Sequence, residues 1–325
     1  MTTSRRTFLQ LAACAIALPS LARLARAQAY PTRPVHIVAA FGAGGGVDIT
    51  ARLIGQWLSE RLGQQFVVEN RPGAGGNLGT EVAVNAPPDG YTLLLATLPN
   101  AVNATLYEKL NFDFIRDIAP VAGVIRVPQV ILVHPAVPAK TVPELIAYAK
   151  ANPGKINMAS AGSGSAPHLA GELFNAMVGI RMVHVAYRGQ GQAMTDLIGG
   201  QVQVMFATTP GIADFIKSGK LRALAVTTAA RAQMLPELPT VADFVPGYEA
   251  SQWYGVGAPR STPVAIIDKL NTAINAALAD ARMKVRFADI GGEVLPGSAA
   301  DFGKLIADET EKWAKVVKFA GIKAE

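Results

Sequence analysis

The sequence predicts an α/β protein of two domains, and three observations carry the prediction. The chain has 325 residues, half of them hydrophobic and 17% charged. That length suits two domains and is enough to bury sizeable cores without disulfides or metals. Strand-like runs alternate with helix-like runs along most of the chain, a rhythm that implies mainly parallel sheets. A strand running into a Gly/Ser-rich helix start occurs twice, at Phe41–Asp48 and at Ser160–His168. Ligands of open α/β sheets sit beyond such strand ends, and two of them facing each other across two crossing strands make a closing cleft.

The first 27 residues read as an export signal. Arg5-Arg6 followed by Phe8-Leu9 has the twin-arginine pattern, and Ala25-Arg26-Ala27 is a small-x-small cleavage site. The apolar run Leu11–Leu18 between them is too short to span a bilayer. A lipoprotein-like Leu11-Ala12-Ala13-Cys14 has almost no apolar region before it, which argues against a lipid anchor. Cleavage near Ala27 removes Cys14, the single cysteine, and with it any thiol chemistry. It also removes Arg5, Arg6, Arg23 and Arg26, taking the formal charge from +6 to +2. So small a charge gives no reason to expect nucleic acid or anionic lipid as a partner.

Val35–Ala40 is the first expected strand and Val47–Leu62 the first helix, with Ile49, Leu53, Trp57 and Leu58 on one side and a stop at Gly63. Gln65–Glu69 is a strand, and the glycine-rich turn Asn70–Gly79 leads to a short helix. Tyr91–Thr97 is a buried strand ending in polar residues. Val121–His134 is a long apolar run that crosses to the second domain. There Thr141–Glu144 is a capping box, and strands at Lys155–Ser160, Arg181–Tyr187, Val202–Ala207 and Leu221–Thr227 alternate with helices at His168–Val178, Gln192–Ile198 and Ile212–Ser218. Leu235–Tyr248 is proline-rich and irregular, and Ser251–Gly257 is the return crossing. Pro263–Ala279, capped by Thr262, and Ala299–Phe319, capped by Ser298, are helices that complete the first domain. The domains are thus residues 28–126 with 250–325, and residues 127–249.

Helix N-termini expose unpaired N–H groups, and glycine lets a ligand approach them closely, so the strand–glycine loop–helix at Val35–Asp48 is an anion seat. We expect it to hold a small carboxylate and to perform no chemistry on it. A dinucleotide fingerprint fails because Val47 and Ile49 stand where its third glycine belongs. A serine-hydrolase elbow is absent around Ser163, so capping or ligand contact is the better reading of Ser160, Ser163 and Ser165. His36, His134, His168 and His184 show no metal-ligand spacing. His36 and His184 read as structural. His168 stands beside the second loop, where packing and ligand contact are both open. Asp48 suits the positive end of its helix, and contact with a ligand amino group is its other reading. Arg71 and Arg188 are either carboxylate partners or surface braces, and Trp253 and Tyr254 pack under the cleft or line it.

Taken together, several segments resemble the substrate-binding receptors of tripartite tricarboxylate transporters, the Bordetella uptake gene family. They include Phe41-Gly42-Ala43-Gly44-Gly45-Gly46-Val47-Asp48, Glu69-Asn70-Arg71-Pro72-Gly73, Pro88-Asp89-Gly90-Tyr91-Thr92, Ser160-Ala161-Gly162-Ser163-Gly164-Ser165, Val185-Ala186-Tyr187-Arg188-Gly189 and Leu197-Ile198-Gly199-Gly200-Gln201. The resemblance spans nearly the whole chain after the signal, with a departure at Ala40, where members commonly carry proline. It implies two Rossmann-like α/β domains joined by two crossing strands, the Venus flytrap architecture of periplasmic binding proteins. It further implies a monomeric, non-catalytic periplasmic receptor without cofactor or metal, which delivers a small carboxylate to a two-component integral membrane permease. The alternatives are a sensory adaptor for a histidine kinase and an exported enzyme. The expected site joins Phe41, Gly42, Ala43, Gly44, Gly45, Gly46 and Asp48 to Ala161, Gly162, Ser163, Gly164, Ser165 and His168. Thr97, Asn100, Tyr187, Thr208 and Thr209 read the rest of the ligand.

Overall fold

The computed structural model describes residues 30–107 and 109–323; the expected export signal lies outside them. The chain first lays down β1 (Val35–Ala39), α1 (Gly46–Leu62), β2 (Phe66–Asn70), α2 (Asn77–Val84), β3 (Thr92–Thr97), α3 (Leu98–Leu106), the single turn α4 (Phe114–Asp117) and the long β4 (Ile118–Val133). There follow α5 (Val142–Ala151), β5 (Asn157–Ser160), α6 (Ala166–Val178), β6 (Val183–Ala186), α7 (Gln190–Ile198), β7 (Val204–Thr208), α8 (Ala213–Lys217) and β8 (Arg222–Val226). The last elements are β9 (Ser251–Pro259), α9 (Val264–Ala279), α10 (Ala281–Asp289), β10 (Glu293–Val294) and α11 (Ala299–Ala320).

The strands form one continuous order, β2-β1-β3-β9-β4-β7-β5-β6, with β8 and β10 also paired to β4. β4 holds this order together. Its residues Ile118–Pro128 pair with β9, while Gln129–Val133 pair with β7 and Val130–Val133 with β8. One strand thereby joins the two groups of paired strands. The pairs β1–β2, β1–β3, β5–β6 and β5–β7 are parallel, as the βα rhythm predicts. Every pairing of β4 and β9 is antiparallel, which corrects the expectation of mainly parallel sheets. The strand that leaves the first half and the strand that returns to it run opposite ways, so their neighbours cannot all be parallel.

Most helix ends follow the sequence signals. Gly63 takes the left-handed conformation that closes α1, Thr141 caps α5, and Ser298 with Asp301 forms a capping box on α11. At α9 the expected cap fails. Pro263 is itself the extended N-cap residue, and the Thr262 hydroxyl is buried without a hydrogen-bond partner. Three helices escaped the sequence reading, the single turn α4 among them. α10 starts at Asp280, whose carboxylate accepts from the N–H groups of Arg282 and Met283. α3 starts from a capping box of Thr97 and Asn100.

α11, roughly 33 Å long at 1.5 Å per residue, does more than complete the first half. Its buried face of Phe302, Ile306, Trp313 and Val317 packs on α3 and β4 and continues onto α6 in the second half. The Phe302 ring meets Trp253 edge-on, 5.6 Å between centroids, and lies directly over Gly255 of β9. A Cβ on Gly255 would stand 2.1 Å from that ring. Gly255→Ala should therefore lower stability by about 1–3 kcal/mol, the usual cost of overpacking a filled core. A urea unfolding midpoint equal to that of the parent would show that the ring yields freely.

Candidate functional site

β1 ends against the loop Ala40–Gly45, and α1 begins at Gly46. Gly45 is its N-cap and supplies no side-chain hydrogen bond. The first N–H groups of α1 are therefore left for another acceptor. The loop is braced from behind by Asp48. Its carboxylate accepts from Gly44 N–H at 3.0 Å and from Arg52 Nε at 2.9 Å. Burial raises its pKa, but the hydrogen bonds from Arg52 and Gly44 outweigh burial and hold the carboxyl below its ordinary range. Asp48 thus holds the loop through the backbone, and Arg52 balances its charge. Arg71 pairs with Glu69 at 2.8 Å, and His36 with the same carboxylate at 2.5 Å, so both serve the outer edge of β1 and β2.

The second half repeats the arrangement. β5 ends at Ser160, the loop Ala161–Ser165 follows, and α6 begins at Ala166 with Ser165 as an N-cap that makes no side-chain bond. The Ser165 hydroxyl is 1% exposed and has no partner. Gly164 N–H donates to His168 Nδ1 at 3.0 Å, and the His168 ring stacks on His184, 3.9 Å between centroids. Ser160 Oγ lies 2.6 Å from His184 Nε2 and accepts from Gly162 N–H. Ser160 is fully buried, so this Ser–His pair braces the loop and presents no nucleophile to the cleft.

The two helix starts line one small cleft. Gly45, Gly46 and Val47 come from one side, and Ser165, Ala166 and Pro167 from the other. The halves touch here. Gly42 N–H donates to Arg188 O at 3.2 Å, and a Cβ on Gly189 would lie 3.0 Å from Gly42 N. Tyr107 OH also donates to Ser163 O, at 3.2 Å. From below, β9 brings the Tyr254 hydroxyl so close to Gly46 that a Cβ there would be 2.2 Å away.

Of the expected residues, Phe41, Gly42, Gly45, Gly46, Ala161, Ser165 and Thr208 line this cleft. Ala43, Gly44, Gly162, Ser163 and Gly164 belong to the same two loops without lining it. Thr97 and Asn100 are placed elsewhere: the Asn100 carboxamide accepts from Thr97 N–H and donates to Thr80, which is capping. Tyr187 donates to Asp196 at 2.7 Å. Thr209 is fully buried, and a Cβ on Gly291 would lie 2.6 Å from its hydroxyl. Sequence reasoning missed Gln190, Gln252, Pro99 and Pro167, and left Tyr254 open; all line the cleft. Pro167, directly after the second loop, was the one with a local signal.

Among the described residues no group of three His, Cys, Asp or Glu could hold a metal ion, and no helix is long and apolar enough to cross a membrane. A family model described as the tripartite tricarboxylate transporter family receptor matches residues 50–322. Protein BugT of Bordetella pertussis (strain Tohama I) is 37% identical over 311 residues, 95% of each chain. Among solved structures, R. palustris Rpa4515 with adipate superposes with a TM-score of 0.89 at 38% identity, covering 91% of this chain and 100% of that one. The periplasmic binding protein BugD gives a TM-score of 0.87 at 36% identity over the same shares.

The buried imidazole of His168 generates a pH prediction. Burial, with the neighbouring His184, pushes its pKa down from 6.5 to about 3. Below pH 6.5 the unfolded chain takes up a proton that the folded chain refuses, so stability is full above that value and is lost as pH falls toward 3. One such group costs about 1.4 kcal/mol per pH unit. Urea midpoints measured between pH 7 and 4.5 should fall more steeply for the parent than for His168→Gln. Parallel profiles would remove His168 as the cause.

Proposed function

We infer a receptor for a small carboxylate, because the chain belongs to the tripartite tricarboxylate transporter receptor family. The observation that carries this reading is the pair of helix starts without side-chain caps, one from each half, on a single cleft. Each helix start carries partial positive charge and free N–H donors, worth about 0.3–1 kcal/mol to a nearby anion and up to about 2 when partly buried. The buried Ser165 hydroxyl supplies one more donor. An anion held by backbone dipoles from both halves is bound tightly only when the halves are together. Opening separates the two sets of donors and releases it, because no fixed countercharge stays with either half.

In this reading, residues 28–126 with 250–325 and residues 127–249 move as two bodies about β4 and the return to β9. The Gly42–Arg188 hydrogen bond is a contact of the closed form. The adipate in the relative's structure and the family's name support a carboxylate ligand and delivery to a two-component membrane permease. The twin-arginine leader and the periplasmic BugD relative support a periplasmic site of action. The family's description as a receptor supports a role in binding.

Thermal unfolding against a panel of carboxylates tests the proposal. A ligand at 100 times its dissociation constant should add about 2.7 kcal/mol of stability. Gly45→Val should abolish that gain while leaving the unliganded melting temperature nearly unchanged, because a Cβ at Gly45 already lies 3.3 Å from Gln190 across the cleft and the larger side chain blocks closure. Unchanged affinity in Gly45→Val would remove this cleft as the site.

A further inference from the structure

We propose that the second glycine-rich turn, residues 73–76, positions the anion seat of the second half from outside the cleft, as a latch that favours the closed arrangement of the two halves. This rests on the two-body reading above and adds to it a control of closure that touches no ligand. In the sequence the turn reads only as the way into α2. Neither the turn, nor Asn103 of α3, nor Tyr107 just after α3 lines the cleft.

Asn103 ties the turn to α3. Its Nδ2 donates to Gly75 O at 3.1 Å and to Asn77 Oδ1 at 2.7 Å. Turn and helix together make one surface of the first half, and the loop 161–165 of the second half is pressed onto it. A Cβ on Gly75 would stand 2.2 Å from Ser163 O, a backbone atom. Tyr107 OH donates to the same carbonyl at 3.2 Å. From the other side, a Cβ on Gly164 would stand 2.7 Å from Asn103 Oδ1 and 2.8 Å from Leu106 Cδ2. Each half thus contributes a glycine without which the two could not approach so closely.

The loop 161–165 leads into α6, whose uncapped start is half of the proposed seat. Holding Ser163 by its carbonyl therefore fixes where that helix start stands relative to α1. The contact exists only while the halves are together, because parting them carries Ser163 away from Gly75 and Tyr107. A ligand that needs both helix starts gains what the contact contributes, since the contact favours the form that binds. A methyl group at position 75 acts on one side of this balance. In the closed form it meets the Ser163 carbonyl. In the open form it meets only the Tyr107 hydroxyl, the movable end of a side chain, 2.7 Å away. The left-handed backbone of Gly75, φ 61°, strains an alanine in both forms alike.

Distances between paired spin labels test this in the purified protein, unfolded and refolded first to strip carried ligand. The labels sit on Val82→Cys in α2 and Thr195→Cys in α7, both exposed, with Cys14→Ser removing the single native cysteine. The proposal expects the short distance of the parent to lose population to a longer one. The ratio of short to long should fall about tenfold in Gly75→Ala, the scale of an overpacked contact. It should fall roughly two- to tenfold in Tyr107→Phe, which removes one hydrogen bond. Gly63→Ala, also left-handed but with open space around its Cβ, measures the backbone cost alone and should match the parent. A Gly75→Ala distribution indistinguishable from that of Gly63→Ala would overturn the proposal, including the case of a parent already at the long distance. Should Gly75→Ala fail to fold, Tyr107→Phe decides in the same way. No carboxylate enters the measurement, so a failed latch and a failed carboxylate reading are told apart.

Discussion

A helix start leaves N–H groups that nothing within the helix can satisfy, and this chain points two of them into one space. The rest of the architecture follows from keeping that space available. Glycine at 46 is required because Tyr254 approaches from below, and glycines at 42 and 189 let the two backbones meet. Asp48 and His168 each hold a loop from behind by accepting from one of its N–H groups. The donors that face the cleft are thereby left uncapped while the loops around them are fixed.

β4 gives this arrangement its geometry. It pairs with β9 along its first part and with β7 and β8 along its last, so the two parallel layers approach through one strand. The cleft is lined by residues of both layers, so its shape depends on how they meet. The backbone bond from Gly42 to Arg188 and the continuous packing of α11 from α3 to α6 set that meeting.

The glycine loops were legible in the sequence because a strand, a glycine cluster and an amphipathic helix leave a local pattern. The wall opposite them was not. Gln190 is remote in the chain from Gln252 and Tyr254 of β9, whose place beside β3 and β4 is set by antiparallel pairing, which a parallel reading does not foresee. Thr97 and Asn100 illustrate the converse. Polar residues at a strand end look alike whether they face a ligand or cap the next helix, and here they cap α3. The missed α10 had a capping signal at Asp280, hidden because the helix before it ends one residue earlier.

The central claim is that backbone N–H groups of both halves seat one carboxylate together. Amide NMR spectra of the labelled protein, recorded as benzoate or adipate is added, address it most directly. The account predicts that the resonances of Gly46 and Val47 in α1 and of Ala166 and His168 in α6 move together, with one shared dissociation constant. Binding that leaves either helix start unmoved would contradict it.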